Sequence, residues 1–375
     1  MNIEIRTIEN KIGVSETYIA AFGTADKPLR LQAEELFSAI AGVLDSKNAK
    51  IIQERIFGTE EIFDVVSPIR EKAYSSFNDS VAPTWLVTPE GINGKIAGIQ
   101  VHALSGDCQI EILRYEGKDC GRIVQLPDHR KYLTLNSISC VQAGKNVEQA
   151  LQMLQKAEAI LKQAGTDMFS VARTWMWLKD ILTWYDPFNS VRNQFFAERG
   201  LIGEGLTRKI PASTGIGVRA SSSVMCAMDL VSVFGPGSSI EYFDVTDTQK
   251  SAHDYGSAFS RATKTTTAAG QTVFVSGTAS IDAEGNTIHI GDAEMQIQAT
   301  VENVRIALKE TNCSDDNIVQ AIAYCKTAEV EKLFCRKWSH LSYPHFTVIT
   351  DVCRDDLLFE IEATAMIGGT NTKWL

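Results

Sequence analysis

The sequence has no apolar run approaching the roughly 18 residues that a bilayer-spanning helix needs, so no membrane partner is expected. Long Lys/Arg runs are missing too. Thirty-six Lys and Arg against 46 Asp and Glu give a formal net charge of −10, a surface that repels phosphate backbones, so no nucleic-acid partner is expected. The opening segment, MNIEIRTIENKIG, alternates its charges and lacks an apolar core, which argues against a secretory leader. Eight cysteines are scattered without a C-x-x-C pair and read as reduced core thiols, which with the missing leader points to a cytoplasmic location. G-x-G-x-x-G, P-loop and G-x-S-x-G motifs are all absent. The six histidines are dispersed and no H-E-x-x-H occurs, so neither a cofactor nor a metal site is implied.

What is present is repetition. A chain of 375 residues that is 44% apolar can bury a large core and divide into two or three domains. Three segments carry apolar residues at helical spacing: Ala33, Phe37, Ile40 and Leu44; Val147, Leu151, Leu154 and Leu161; Ile297, Val301, Val304 and Leu308. A β-like run follows each, at 49–57, 169–178 and 317–326, then a second amphipathic segment, then Pro83, Pro211 or Pro344 and two further strands. With two strand-like runs ahead of each first helix, the unit reads ββαβαββ three times over. The expected division is 1–106, 107–245 and 246–375, an α+β arrangement. Two helices cover one face of each sheet, and neighbouring copies can cover the other.

The stretch DVCRDDLLFEIEATAM, 351–366, alternates with period two. Leu357, Phe359, Ile361 and Ala363 share one face; Leu358, Glu360, Glu362 and Thr364 share the other. Two readings of the stacked glutamates stay open. They form a solvated or salt-bridged face, or they are partly desolvated together, in which case one stays protonated near neutral pH and can act as acid and then base. In PASTGIG, 211–217, the glycines leave room either for a ligand or for tight packing between copies. Three tryptophans within 175–184 read as packing between repeats, with an aromatic pocket wall as the alternative.

VARTW (171–175), PASTGIG, YGSAFSRA (255–262), FVSGTASI (274–281), the N-x-x-R-x-x-F-F helix segment and the terminal EIE together resemble the Rid/YjgF superfamily, in particular its long chorismatase-like branch. The resemblance implies chorismate-mutase-like units. Small members form homotrimers with sheets inside, helices outside and ligand sites between subunits. Three units in one chain would make an internal pseudo-trimer, either monomeric or weakly self-associating. The implied activity is a cofactor-independent hydrolase or lyase acting on a small, carboxylate-bearing enol ether or enamine. Chorismatases, which remove the enolpyruvyl group of chorismate, are the nearest likeness. Glu360, with Glu362 beside it, matches the acid/base position of that family. Arg261, Arg219 and Arg173 are the candidates for holding an anionic metabolite, with Arg354 a further one, and Tyr255 and Ser276 for orienting it. The chain departs from small Rid proteins at the arginine that follows the proline: Trp85, Ser213 and His345 or Phe346 stand there instead. It also reads WMWL at 175–178 where chorismatases tend to read WNYL. The same scaffold is compatible with a non-catalytic metabolite-binding or regulatory protein, or with the endoribonuclease and translation-inhibitor role attached to Rid-type names.

Overall fold

The computed structural model describes residues 1–367 apart from 11, 142–143, 204–207, 221–223, 245 and 247–248. The first unit runs β1 (Asn2–Glu9), β2 (Val14–Phe22), α1 (Leu29–Lys47), β3 (Lys50–Gly58), α2 (Ile62–Tyr74), β4 (Thr84–Val87) and β5 (Ile96–Gly106). The second has β6 (Gln109–Tyr115), β7 (Lys118–Gln125), β8 (Lys131–Ile138), α3 (Asn146–Gln163), β9 (Val171–Leu178), α4 (Tyr185–Glu198), β10 (Ala212–Ile216), β11 (Arg219–Ala220) and β12 (Cys226–Phe234). The third has β13 (Ile240–Phe243), β14 (Ala262–Thr266), β15 (Gln271–Ala279), α5 (Ala293–Glu310), β16 (Ile318–Cys325), α6 (Ala328–Lys337), β17 (His345–Ile349) and β18 (Phe359–Ile367).

The strands build three six-stranded sheets, ordered β1-β2-β5-β3-β4-β11, β6-β7-β8-β12-β9-β10 and β13-β14-β15-β18-β16-β17. In each, one parallel pair (β3 with β4, β9 with β10, β16 with β17) is joined through the second helix, because parallel neighbours need a crossover. The ββαβαββ order holds in all three units, with edge additions. β6 escaped the sequence reading: it is an edge strand beyond the repeated unit, and most of its residues are exposed. β13 joins the third sheet although it lies before the division at 245, and β11 leaves the second unit to pair with β4 of the first.

The layering follows from which face each residue occupies. Helix residues such as Phe37, Leu154 and Leu308 pack on the outer face of their own sheet, giving one outer core per unit. The inner faces meet in a common core that includes Phe57, Trp177 and Tyr324. Sheets therefore lie inside and helices outside, the arrangement expected of a pseudo-trimer. The registers give the internal correspondence. Arg55, Trp175 and Ile322 pair with Gln100, Asp229 and Glu362. Two residues along, Phe57, Trp177 and Tyr324 pair with Gly98, Ala227 and Glu360.

Candidate active site

Glu360 and Glu362 do not face solvent. Phe359, Ile361 and Ala363 of β18 pack under α5 and α6, so the alternation turns both glutamates inward, where each is only 4% exposed. The outcome is the desolvated reading, not the solvated one.

Glu360 sits at a cleft of about 460 Å³ between the second and third units. The second unit supplies Tyr185 and Asn189 of α4 and Ser213 and Gly215 of β10. The third supplies Tyr255, Arg261, Gly277, Cys353 and Arg354. Room for the carboxylate comes from a bulge. The pairing of β15 with β18 shifts between Val275 and Thr278, and a Cβ on Gly277 would lie 2.1 Å from Glu360 Oε1. The segment carrying Tyr255 and Arg261 is clamped by α4: Asn193 donates to Gly256 O at 2.8 Å and accepts from Ala258 N at 3.0 Å.

The two glutamates differ in their partners. Glu362 accepts from Arg173 Nη2 at 2.9 Å and from Trp175 Nε1 at 2.8 Å. No hydrogen bond to Glu360 occurs among the described residues. Burial, with the adjacent Glu362 charge, pushes the Glu360 carboxyl up to about 8, and Arg173 offsets this only in part. Glu360 is therefore a carboxylic acid at neutral pH. Burial likewise pushes the Cys353 thiol up to about 12, so it stays protonated.

Arg261 donates to Lys250 O at 2.8 Å and to the Tyr255 hydroxyl at 2.8 Å. Arg354 donates to Gly285 O at 2.7 Å, and both guanidinium groups lie near the Tyr255 ring, at 5.5 and 5.4 Å from its centroid. Neither forms a salt bridge among the described residues. Each has donors left for an anionic ligand.

The structure thus brings Glu360, Arg261, Arg354 and Tyr255 together at one cleft. Arg173 lies beneath it, bound to Glu362. Ser276 is a buried clip that accepts from Ser213 N at 2.8 Å and donates to Ser260 O at 2.5 Å. Arg219 lies elsewhere, on β11 beside the first unit, paired with exposed Glu60 at 2.9 Å. The PASTGIG glycines divide: Gly215 lines the cleft, while Gly217 is pressed against the Asp351 backbone. The tryptophans are packed, yet Trp175 also donates to Glu362.

Sequence reasoning missed Tyr185, Asn189, Cys353 and the part played by Gly277. It also passed over Arg192 in the N-x-x-R-x-x-F-F segment. That side chain is fully buried, donates to Asn189 Oδ1 at 2.7 Å, and has two guanidinium nitrogens without a partner. The signal in hand was an arginine on the apolar side of a helix, between Phe188 and Phe195, where an unpaired charge is costly.

Residues 250–367 match the family model described as Endoribonuclease L-PSP. That match lies within the third unit. Among solved structures, a chorismatase covers 93% of this chain and 98% of its own, at 18% identity and a TM-score of 0.65. A putative endoribonuclease from Thermotoga maritima (23% identity, TM-score 0.29) aligns with 34% of this chain and 99% of its own. A YjgF-family protein from Mycobacterium tuberculosis (21%, 0.27) aligns with 34% and 100%. No curated protein sequence matches the chain. At these identities the chorismatase likeness establishes the fold: three Rid-like units in one chain.

Proposed function

We propose that the chain is a cofactor-independent hydrolase of a small enol ether or enamine bearing carboxylates, with Glu360 as acid and then base. The observation that carries this reading is a buried carboxyl, held protonated and without a hydrogen bond among the described residues, at a cleft beside two arginines that form no salt bridge among those residues. An enol ether needs a proton at its terminal CH2 carbon. A neutral Glu360 can deliver it, leaving a carboxylate and an oxocarbenium ion. Water then adds at the cationic carbon and returns a proton to Glu360. The hemiketal that results collapses to an alcohol and a 2-oxo acid. Arg261 and Arg354 would hold substrate carboxylates, and the enclosed surroundings strengthen those contacts.

The fold of a chorismatase makes chorismate the first compound to try. An RNA-cleaving role finds less support, because a formal charge of −10 opposes phosphate backbones. The test follows chorismate consumption and pyruvate release by wild-type and Glu360→Gln protein. Stoichiometric release that the substitution abolishes is expected. Release at an unchanged rate by Glu360→Gln removes Glu360 from the chemistry. Binding of chorismate without turnover by the wild type points to a ligand-binding protein instead.

A further inference from the structure

Glu362 is absent from the lining of the cleft, yet it stands two residues from Glu360 on the same strand face. Both of its oxygens are held from the second unit: Oε2 by Arg173 Nη2 at 2.9 Å and Oε1 by Trp175 Nε1 at 2.8 Å. The Arg173 guanidinium is steadied by donation to Thr214 Oγ1 at 2.5 Å and lies 4.6 Å from the centroid of the Trp175 ring. A guanidinium donates to one oxygen and an indole N–H to the other, so both oxygens of Glu362 are taken up across the unit boundary.

The groups facing Glu360 come from several elements. Tyr324 opposes it on β16, Tyr185 approaches from α4, Cys353 from the segment before β18, and Arg173 from β9. The tyrosines and the cysteine are kept neutral by burial. The Arg261 and Arg354 guanidinium groups line the same cleft and oppose the protonated form; Glu362 is the acid that favours it, and the Arg173 guanidinium is already committed to Glu362. The corresponding position in the second unit, Asp229, holds the same kind of ion pair, with Arg55 Nε at 2.7 Å, but has Ala227 where the third unit has Glu360. The paired acid is thus a feature of two unit boundaries, and one of them has gained a second acid beside it.

We propose that Glu362 is a positioning residue: fixed as a carboxylate by Arg173 and Trp175 across the unit boundary, it keeps Glu360 in the carboxylic acid form. Its use in catalysis rests on the acid/base reading of Glu360 given above. The arrangement also ties the acid to correct docking of the two units, since the second unit supplies both groups that hold Glu362.

The test is a carbon-13 carboxyl NMR titration of glutamate-labelled protein without substrate, with the Glu360 resonance assigned by its loss in Glu360→Gln. In Glu362→Gln the Glu360 midpoint should fall by about one pH unit or more, because a like charge is gone while Arg173 remains. Any alkaline limb of turnover should move with it. Arg173→Lys, which preserves the charge, should retain most of the wild-type midpoint. An unmoved midpoint in folded Glu362→Gln overturns the proposal. Should that variant not fold, an unmoved midpoint in Glu362→Met, a neutral side chain of similar length, does so. A shifted midpoint in a protein that never turns over an enol ether would sink the hydrolase reading and leave the Glu362 role standing.

Discussion

The boundary between the first and second units and the boundary between the second and third are built from matching strand positions, yet they use their acids differently. At the former, Asp229 accepts from Arg55 Nε at 2.7 Å, Thr84 Oγ1 at 2.8 Å and Ser137 N at 2.7 Å. At the latter, Glu362 is similarly tied, and Glu360 is left with no hydrogen bond among the described residues. At the third boundary this position is filled by a ring: a Cβ on Gly98, which corresponds to Glu360, would lie 2.3 Å from the Phe346 side chain. One sheet position therefore carries an acid, an alanine or a glycine that admits an aromatic ring. The contrast teaches that burial alone does not make a carboxylate reactive. Glu16 is as buried as Glu360, and burial would raise it. The bonds it makes with His102, Tyr18 and Ala269 N hold it below the usual range instead.

The sharpest way to break the comparison is Glu360→Gln, which should lower kcat on an enol ether by about 10²–10⁴-fold, the range of a general acid. Asp229→Asn tests the opposite assignment. It leaves Arg55 buried without its partner and should cost about 3–5 kcal/mol in urea unfolding, with turnover per folded molecule unchanged. A large loss of kcat in that variant would contradict a purely structural Asp229.

Stability gives a second readout of Glu360. Its carboxyl lies near 4.5 when unfolded and is raised to about 8 in the fold. The native state thus binds the extra proton between those values, and the wild-type protein loses stability as pH rises through that window. Glu360→Gln lacks this loss. It should be more stable than wild type by on the order of 3 kcal/mol at pH 7, with the gap widening up to about pH 8 and then constant. Equal pH dependence of urea unfolding in the two proteins would show that Glu360 is not raised. The smallest effect expected is from Gly277→Ala. The new methyl group must displace the Glu360 carboxyl, for a loss in kcat of about tenfold with the fold retained, measurable by steady-state kinetics and circular dichroism.

Much of the architecture was legible in the sequence. Period-two alternation in FEIEA, helical spacing in the three amphipathic segments and the recurring prolines are local patterns, and local sterics and apolar burial enforce them. The exposed edge strand β6 and the strand exchange of β11 were not legible, since neither carries a buried stripe of its own. At the site, Glu360 was singled out by the alternation of β18 together with the family resemblance, and Arg261, Arg354 and Tyr255 as candidates to hold or orient an anionic ligand. Arg219 could not be told from them, although β11 places it against the first unit. Tyr185 and Asn189 stayed hidden because an α4 residue resembles any other until a neighbouring unit is set against it.

The sequence by itself determined three units, the alternation of β18 and the presence of two acids on one of its faces. Only the tertiary structure decided that this face meets another unit rather than water. It also decided that Arg173 and Trp175 reach Glu362 while Glu360 goes without a hydrogen bond among the described residues. The reason is physical: a carboxyl group's protonation depends on the donors, charges and exclusion of water around it, and here the second unit supplies much of that surrounding from positions distant in the chain.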